Sequence, residues 1–141
     1  MTAKPRYEVV EHTADIRIRM RADTLEDLFA NAAYGMFDLI TGAEAIRPAI
    51  PRQVSISAND YEELMVNWLT ELLFIFETEK LVFSEFTIEE IDQAHIRATA
   101  RGEMFSPDRH EPNMDIKAVT YYGLHVVQED SAWTATVVFD I

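Results

Sequence analysis

The sequence predicts an α+β fold: one domain over residues 1–141, with a mixed, mostly antiparallel sheet and two helices. Three observations predict it. Apolar residues alternate with polar ones at a period of two near both ends of the chain, two stretches carry apolar residues at helical spacing, and helices do not alternate regularly with strands. At 141 residues the chain is long enough to bury ~70% of its unfolded surface around a single core.

Tyr7 to Glu11 and Asp15 to Ala22 read as extended, since Ile16, Ile18 and Met20 alternate with Arg17, Arg19 and Arg21. Asp15 therefore lies on the arginine side, away from the core. Thr24 caps a first helix with Asp27 in a capping-box place; Leu25, Leu28, Phe29, Ala32, Met36 and Ile40 form its stripe and Gly42 ends it. Residues 43–51 hold Pro48 and Pro51 and read as a loop, before a short strand marked by Val54 and Ile56. Asn59 and Asp60 are alternative caps for a second helix, whose stripe is Met65, Trp68, Leu69, Leu72 and Phe76. Phe74 falls on its polar side, so it is either covered by a loop, the preferred reading, or an exposed anchor for a partner. From Leu81 onward the pattern is strand: a change of phase at Ser84-Glu85 suggests a bulge, Ile96 to Ala100 follow, Ile116 to Val127 break at Gly123, and Trp133 runs to the end. In that last strand Trp133, Ala135, Val137, Phe139 and Ile141 share a face, so Asp140 points the other way.

Composition excludes several function classes. Twelve Lys and Arg against 25 Asp and Glu give −13, a balance that repels phosphate backbones, so direct nucleic-acid binding is not expected. The field favours cations or a basic protein surface, although an acidic shell also serves solubility alone. With no Cys, disulfides, zinc-thiolate sites and cysteine nucleophiles are absent, and any chemistry must use oxygen or imidazole. Neither a secretory signal nor an apolar run of membrane-spanning length is visible, which makes the cytoplasm the expected compartment and membrane association unexpected. With only four Gly, most nucleotide cradles are excluded, and no nucleophile elbow, HExxH helix or EF-hand loop is present. The expected class is not an enzyme.

Asp140 and the terminal α-carboxylate of Ile141 bring oxygen ligands within two residues, and Asp15 is a second strand-end acid. If the two strands are neighbours, the carboxylates repel unless a cation or proton lies between them; if not, both are solvated edge charges. All-oxygen ligation favours Ca²⁺ or Mg²⁺ over zinc, with waters or a partner group completing the shell. His12, three residues before Asp15, and His110 in His110-Glu111-Pro112 could serve in acid-base work, though most such histidines hydrogen-bond a turn.

Glu11-His12-Thr13-Ala14-Asp15-Ile16, the helix around Trp68-Leu69-Thr70-Glu71-Leu72-Leu73, His110-Glu111-Pro112 leading to Ile116-Lys117-Ala118-Val119-Thr120-Tyr121, and the terminal Asp140-Ile141 together resemble the archease family. The resemblance implies a mixed sheet with two helices and a role as protein cofactor of RtcB-type RNA ligases. These join tRNA halves through a guanylylated histidine on the ligase, formed with GTP and metal. It also implies a divalent-metal site at Asp15, Asp140 and Ile141, the last through backbone oxygen, with Ca²⁺ expected and Mg²⁺ or Mn²⁺ as alternatives. Two positions depart from the family pattern: Arg17 stands where Gly is usual and Tyr122 where His is usual. The alternative function is a chaperone-like modulator of another tRNA-processing enzyme, such as a tRNA methyltransferase. Oligomeric state is not legible.

Overall fold

The computed structural model describes residues 6–12 and 15–141, with the side chains of Glu11 and His12 outside the described set. Its elements are β1 (Glu8–His12), β2 (Asp15–Ala22), α1 (Leu25–Thr41), β3 (Ile50–Ser57), α2 (Tyr61–Glu79), β4 (Leu81–Ile91), β5 (His95–Met104), β6 (Ala118–Glu129) and β7 (Ala132–Asp140), with a short 3-10 turn at Ala43–Ala45. The α+β class with two helices holds. The strands, however, form two sheets, β1-β2-β7-β6 and β3-β5-β4, and every pairing among the described residues is antiparallel.

The helix boundaries follow from capping. Thr24 Oγ1 accepts the Asp27 N–H at 3.1 Å, and Gly42, at φ 74, donates its N–H to Asp38 O. Of the two cap candidates for α2, Asp60 takes the role: its Oδ1 accepts the Glu63 N–H at 2.8 Å, while Glu63 Oε1 reaches back to the Asn59 N–H. The β6–β7 hairpin turns on Asp130 and Ser131, both at positive φ (50 and 68), as a two-residue primed turn demands. Pro51 sits inside β3 instead of the expected loop, which is tolerated because β3 is an edge strand.

Both helices pack on strands of both sheets: α1 on β2, β7 and β4, and α2 on β6, β3, β4 and β5. One continuous core results. Trp68 is fully buried in it and donates Nε1–H to Phe29 O at 3.0 Å, tying α2 to α1. Phe37 meets Phe83 edge-on at 5.5 Å and stacks on Phe86 at 6.1 Å, so α1 and β4 share an aromatic cluster worth about 1 kcal/mol per ring pair beyond area burial. Phe74, in contrast, is 58% exposed, which overturns the covered reading: no described segment folds over that side of α2.

The face of the first sheet opposite the helices carries Asp15, Arg17, Arg19 and Arg21 of β2. They lie across from Asp140, Val138, Thr136 and Thr134 of β7. The core face carries Ile16, Ile18 and Met20 against Phe139, Val137 and Ala135, all at most 1% exposed. The period-two reading of both strands thus places the two aspartates outside the core.

Candidate metal centre

Asp15 and Asp140 are direct partners across the β2–β7 ladder. Residues opposite one another in an antiparallel pair project to the same face with Cβ atoms ~5 Å apart, so the two carboxylates share one small region at the sheet end. Three contacts fix that end. Ile141, just beyond β7, packs partly buried against the core. Ala118 of β6 is the other neighbour of Asp140, and Lys117 donates its N–H to Asp140 O at 2.7 Å. The Asp140 main chain is therefore held from both sides while its side chain is exposed.

The donor set suits a hard cation. The groups available here are the side-chain carboxylates of Asp15 and Asp140, with no thiolate anywhere in the chain. Among the described residues no cluster of three or more His, Asp or Glu side chains could hold a metal. An ion at this row would thus keep several positions for water or a partner group. Arg17 occupies the next residue on the same face of β2, with its guanidinium against Gly123 of β6. It stands apart from the aspartate row by one side-chain repeat, ~7 Å along the strand.

The segment that feeds β6 into this row is fastened at both ends. Thr41 Oγ1 donates to Glu111 O at 2.8 Å, Asn113 N–H to Ile40 O and Met114 N–H to Leu39 O, which ties residues 111–114 to the end of α1. At the other end His110, wholly buried and stacked on Phe105, accepts the Ser106 N–H on Nδ1 at 2.8 Å. Its proton is therefore on Nε2, which donates to Glu103 Oε2 at 2.9 Å. Both ring nitrogens are occupied and neither reaches solvent, so the acid-base reading of His110 is replaced by a loop-bracing role. The same reading of His12 falls on a side chain outside the described residues.

Glu103 also accepts from Arg109 Nη1 at 2.6 Å and from the Arg47 N–H at 2.7 Å. The Arg109 hydrogen bond, with those from Arg47 and His110, holds its carboxyl down to about 2, against an ordinary value of 4.5. A carboxyl with a depressed value stabilises the fold above its ordinary value and loses that contribution as pH falls toward 2. Glu103→Gln removes the charge, keeps one acceptor oxygen and turns its amide N–H groups toward either Arg109 or the Arg47 and His110 donors. Its unfolding midpoint is expected to fall below wild type at pH 6–7 and to converge on it as pH drops from 4.5 to about 2. Denaturant titrations across that range check this; a gap that is independent of pH contradicts it.

Sequence reasoning singled out Asp15, Asp140 and Ile141 as candidates but left open whether Asp15 and Asp140 adjoin, which depends on strand order. It did not find the placement of Lys117 and Ala118 beside Asp140, for which only the polar-to-apolar change at the start of the strand gave a signal.

Comparison with known proteins agrees with this architecture. Residues 7–141 match the Archease protein family (MTH1598/TM1083). Protein archease of Methanopyrus kandleri is 40% identical over 138 residues, covering 96% of this chain and 99% of that protein. Protein archease of Methanosarcina mazei is 41% identical over 140 residues, covering 96% of each. The solution structure of Methanobacterium thermoautotrophicum protein 1598 superposes with a TM-score of 0.84 at 35% identity, over 98% of this chain and 100% of that one. A Thermotoga maritima structure described as an archease, possible chaperone, shares the fold at a TM-score of 0.65 and 18% identity, over 100% and 98% of the two chains. A family match that begins at Tyr7 and runs through the terminal strand, with relatives of equal length, leads to one conclusion: this chain belongs to the archease family.

Proposed function

We propose that the protein is an accessory factor of an RtcB-type RNA ligase, promoting GTP-dependent guanylylation of the ligase and its multiple turnover, and is not itself the ligase. Family membership supports this reading. The observation that carries it furthest is the direct opposition of Asp15 and Asp140. Two like charges placed face to face destabilise a sheet, and a cation shared between them would relieve that repulsion.

Asp15, Asp140 and the terminal carboxylate of Ile141 would hold the ion, Ca²⁺ foremost, with Mg²⁺ or Mn²⁺ as alternatives. Such an ion supplies charge compensation for a transferring phosphoryl group, the main requirement of that chemistry. The protein's own contribution is positional. The hydrogen bond from Lys117 and the burial of Ile141 fix the end of β7, leaving the Asp140 carboxylate exposed at the tip. The overall charge of −13 guides this tip toward a basic surface.

The test is transfer of labelled GMP from GTP to a cognate ligase. Added protein is expected to raise guanylylation, and a version extended at its C-terminus, where Ile141 no longer ends in a carboxylate, to raise it several-fold less. No effect of the unextended protein overturns the function; equal effects of both overturn the terminal ligand. A chaperone-like role for another tRNA-processing enzyme is the second reading, favoured by the exposed Phe74. It would respond to Phe74→Ala and not to changes at Asp140.

A further inference from the structure

β6 departs from its partner beside the aspartate row. Thr120 faces Val138 and His125 faces Thr136, so five steps along β6 span two along β7. A simple bulge inserts one residue; this one inserts three. The excess chain folds down onto the sheet. A Cβ built on Gly123, at φ 74, would lie 3.1 Å from Arg17 Nη2 and 3.5 Å from Val138 Cγ2. Val138, on the face away from the helices, is accordingly only 1% exposed. With Gly123 pressed inward, Tyr121 and Tyr122 are left 58% and 77% exposed.

Two adjacent exposed tyrosines contribute little to the fold. Neither ring meets another aromatic ring among the described residues, and neither hydroxyl makes a hydrogen bond to them. Their location is specific: the Thr120–Val138–Arg17 row is one side-chain repeat, ~7 Å, from the Ala118–Asp140–Asp15 row. Tyrosine supplies large contact area at low entropic cost and is enriched in interface cores, and bulges commonly re-aim side chains next to functional sites.

We propose that the Tyr121-Tyr122 bulge is a docking anchor that seats the protein on a basic protein surface bearing arginine or lysine side chains, and so sets the aspartate row against the partner's reaction centre. Charge complementarity selects this occupant. The chain carries −13, and tyrosine faces attract guanidinium and ammonium groups. Stacked RNA bases would suit the rings but bring phosphates to the neighbouring aspartate row of a chain that carries −13, on a face where Arg19 is already paired with Glu8. The proposal rests on the ligase reading above.

The experiment is a concentration series of the protein in a multiple-turnover RNA-ligation assay, paired with direct binding to the ligase without RNA. Tyr121→Ala/Tyr122→Ala is expected to raise the concentration for half-maximal activation by about 10- to 100-fold and to weaken RNA-free binding equally, with the maximal rate retained. Tyr122→Ala alone, at the more exposed position, is expected to shift both in the same direction and serves if the double variant folds poorly. An unchanged midpoint, a reduced maximal rate with an unchanged midpoint, or weakening seen only with RNA present overturns the anchor while leaving the ligase function standing. Absence of activation by the wild type overturns both.

Discussion

Asp140→Asn is expected to abolish the proposed stabilisation by divalent ions and the proposed ligase activation, while leaving the metal-free protein at least as stable as wild type. The two effects have opposite signs for one reason. Asp15 and Asp140 face each other, so neutralising either relieves a like-charge repulsion. The same change removes one of only two side-chain carboxylates at the row, and affinity for a hard cation is expected to fall at least ~100-fold. At 100 times its dissociation constant an ion adds about 2.7 kcal/mol to stability. Melting curves with and without Ca²⁺ therefore read both effects: wild type rises with the ion, and the variant begins level or higher and does not move. The main-chain bond from Lys117 survives the change, since it uses the Asp140 carbonyl. Asp115→Asn, an exposed acid outside the row, is the control and should behave as wild type.

Gly102→Ala is expected to be the most damaging small change to the fold. Gly102 lies in β5, the central strand of the second sheet, opposite Phe83 and Ile50. A Cβ there would fall 1.8 Å from Val82 O and 2.7 Å from Phe83 Cα. Both are backbone atoms that cannot rotate away. They lie where β4 bulges between Phe83 and Glu85, with Phe83 fully buried in the aromatic cluster on Phe37. The strands must part or the bulge must move, at a cost of about 3 kcal/mol or more. For a chain of this size that lowers the melting temperature by roughly 10 °C. Thermal unfolding checks it; a loss below about 1 kcal/mol would mean that the β4 bulge yields easily.

Local features were legible in the sequence because their causes are local. Thr24, Gly42 and the Asn59-Asp60 pair announce the helix ends through hydrogen bonds a few residues long, and the period-two pattern of β2 and β7 correctly turned Asp15 and Asp140 outward. What no pattern contains is adjacency. Nothing in either strand states that β2 lies beside β7, so the sequence left the aspartates as either a pair or two edge charges. The division into two sheets was hidden for the same reason. β5 runs from His95 to Met104, beyond the Ile96 to Ala100 that the sequence marks as strand. At Gly102 the β4 backbone leaves no room for a Cβ, and Glu103 anchors the following loop. The same network buries His110, whose role depends on Ser106, Phe105 and Glu103 being folded around it by the loop. Gly123 marked the break in β6 but not its size, since the three extra residues are defined only against β7.

The most direct measurement is multiple-turnover RNA ligation with GTP, divalent metal and limiting cognate RtcB-type ligase, comparing no addition, the wild-type protein and Asp140→Asn. The expected result is a single turnover or less without addition, sustained turnover with the wild type, and a return to the unassisted rate with the variant. Sustained turnover with Asp140→Asn would contradict the carboxylate site, and an active ligase indifferent to the wild-type protein would contradict the proposed function itself.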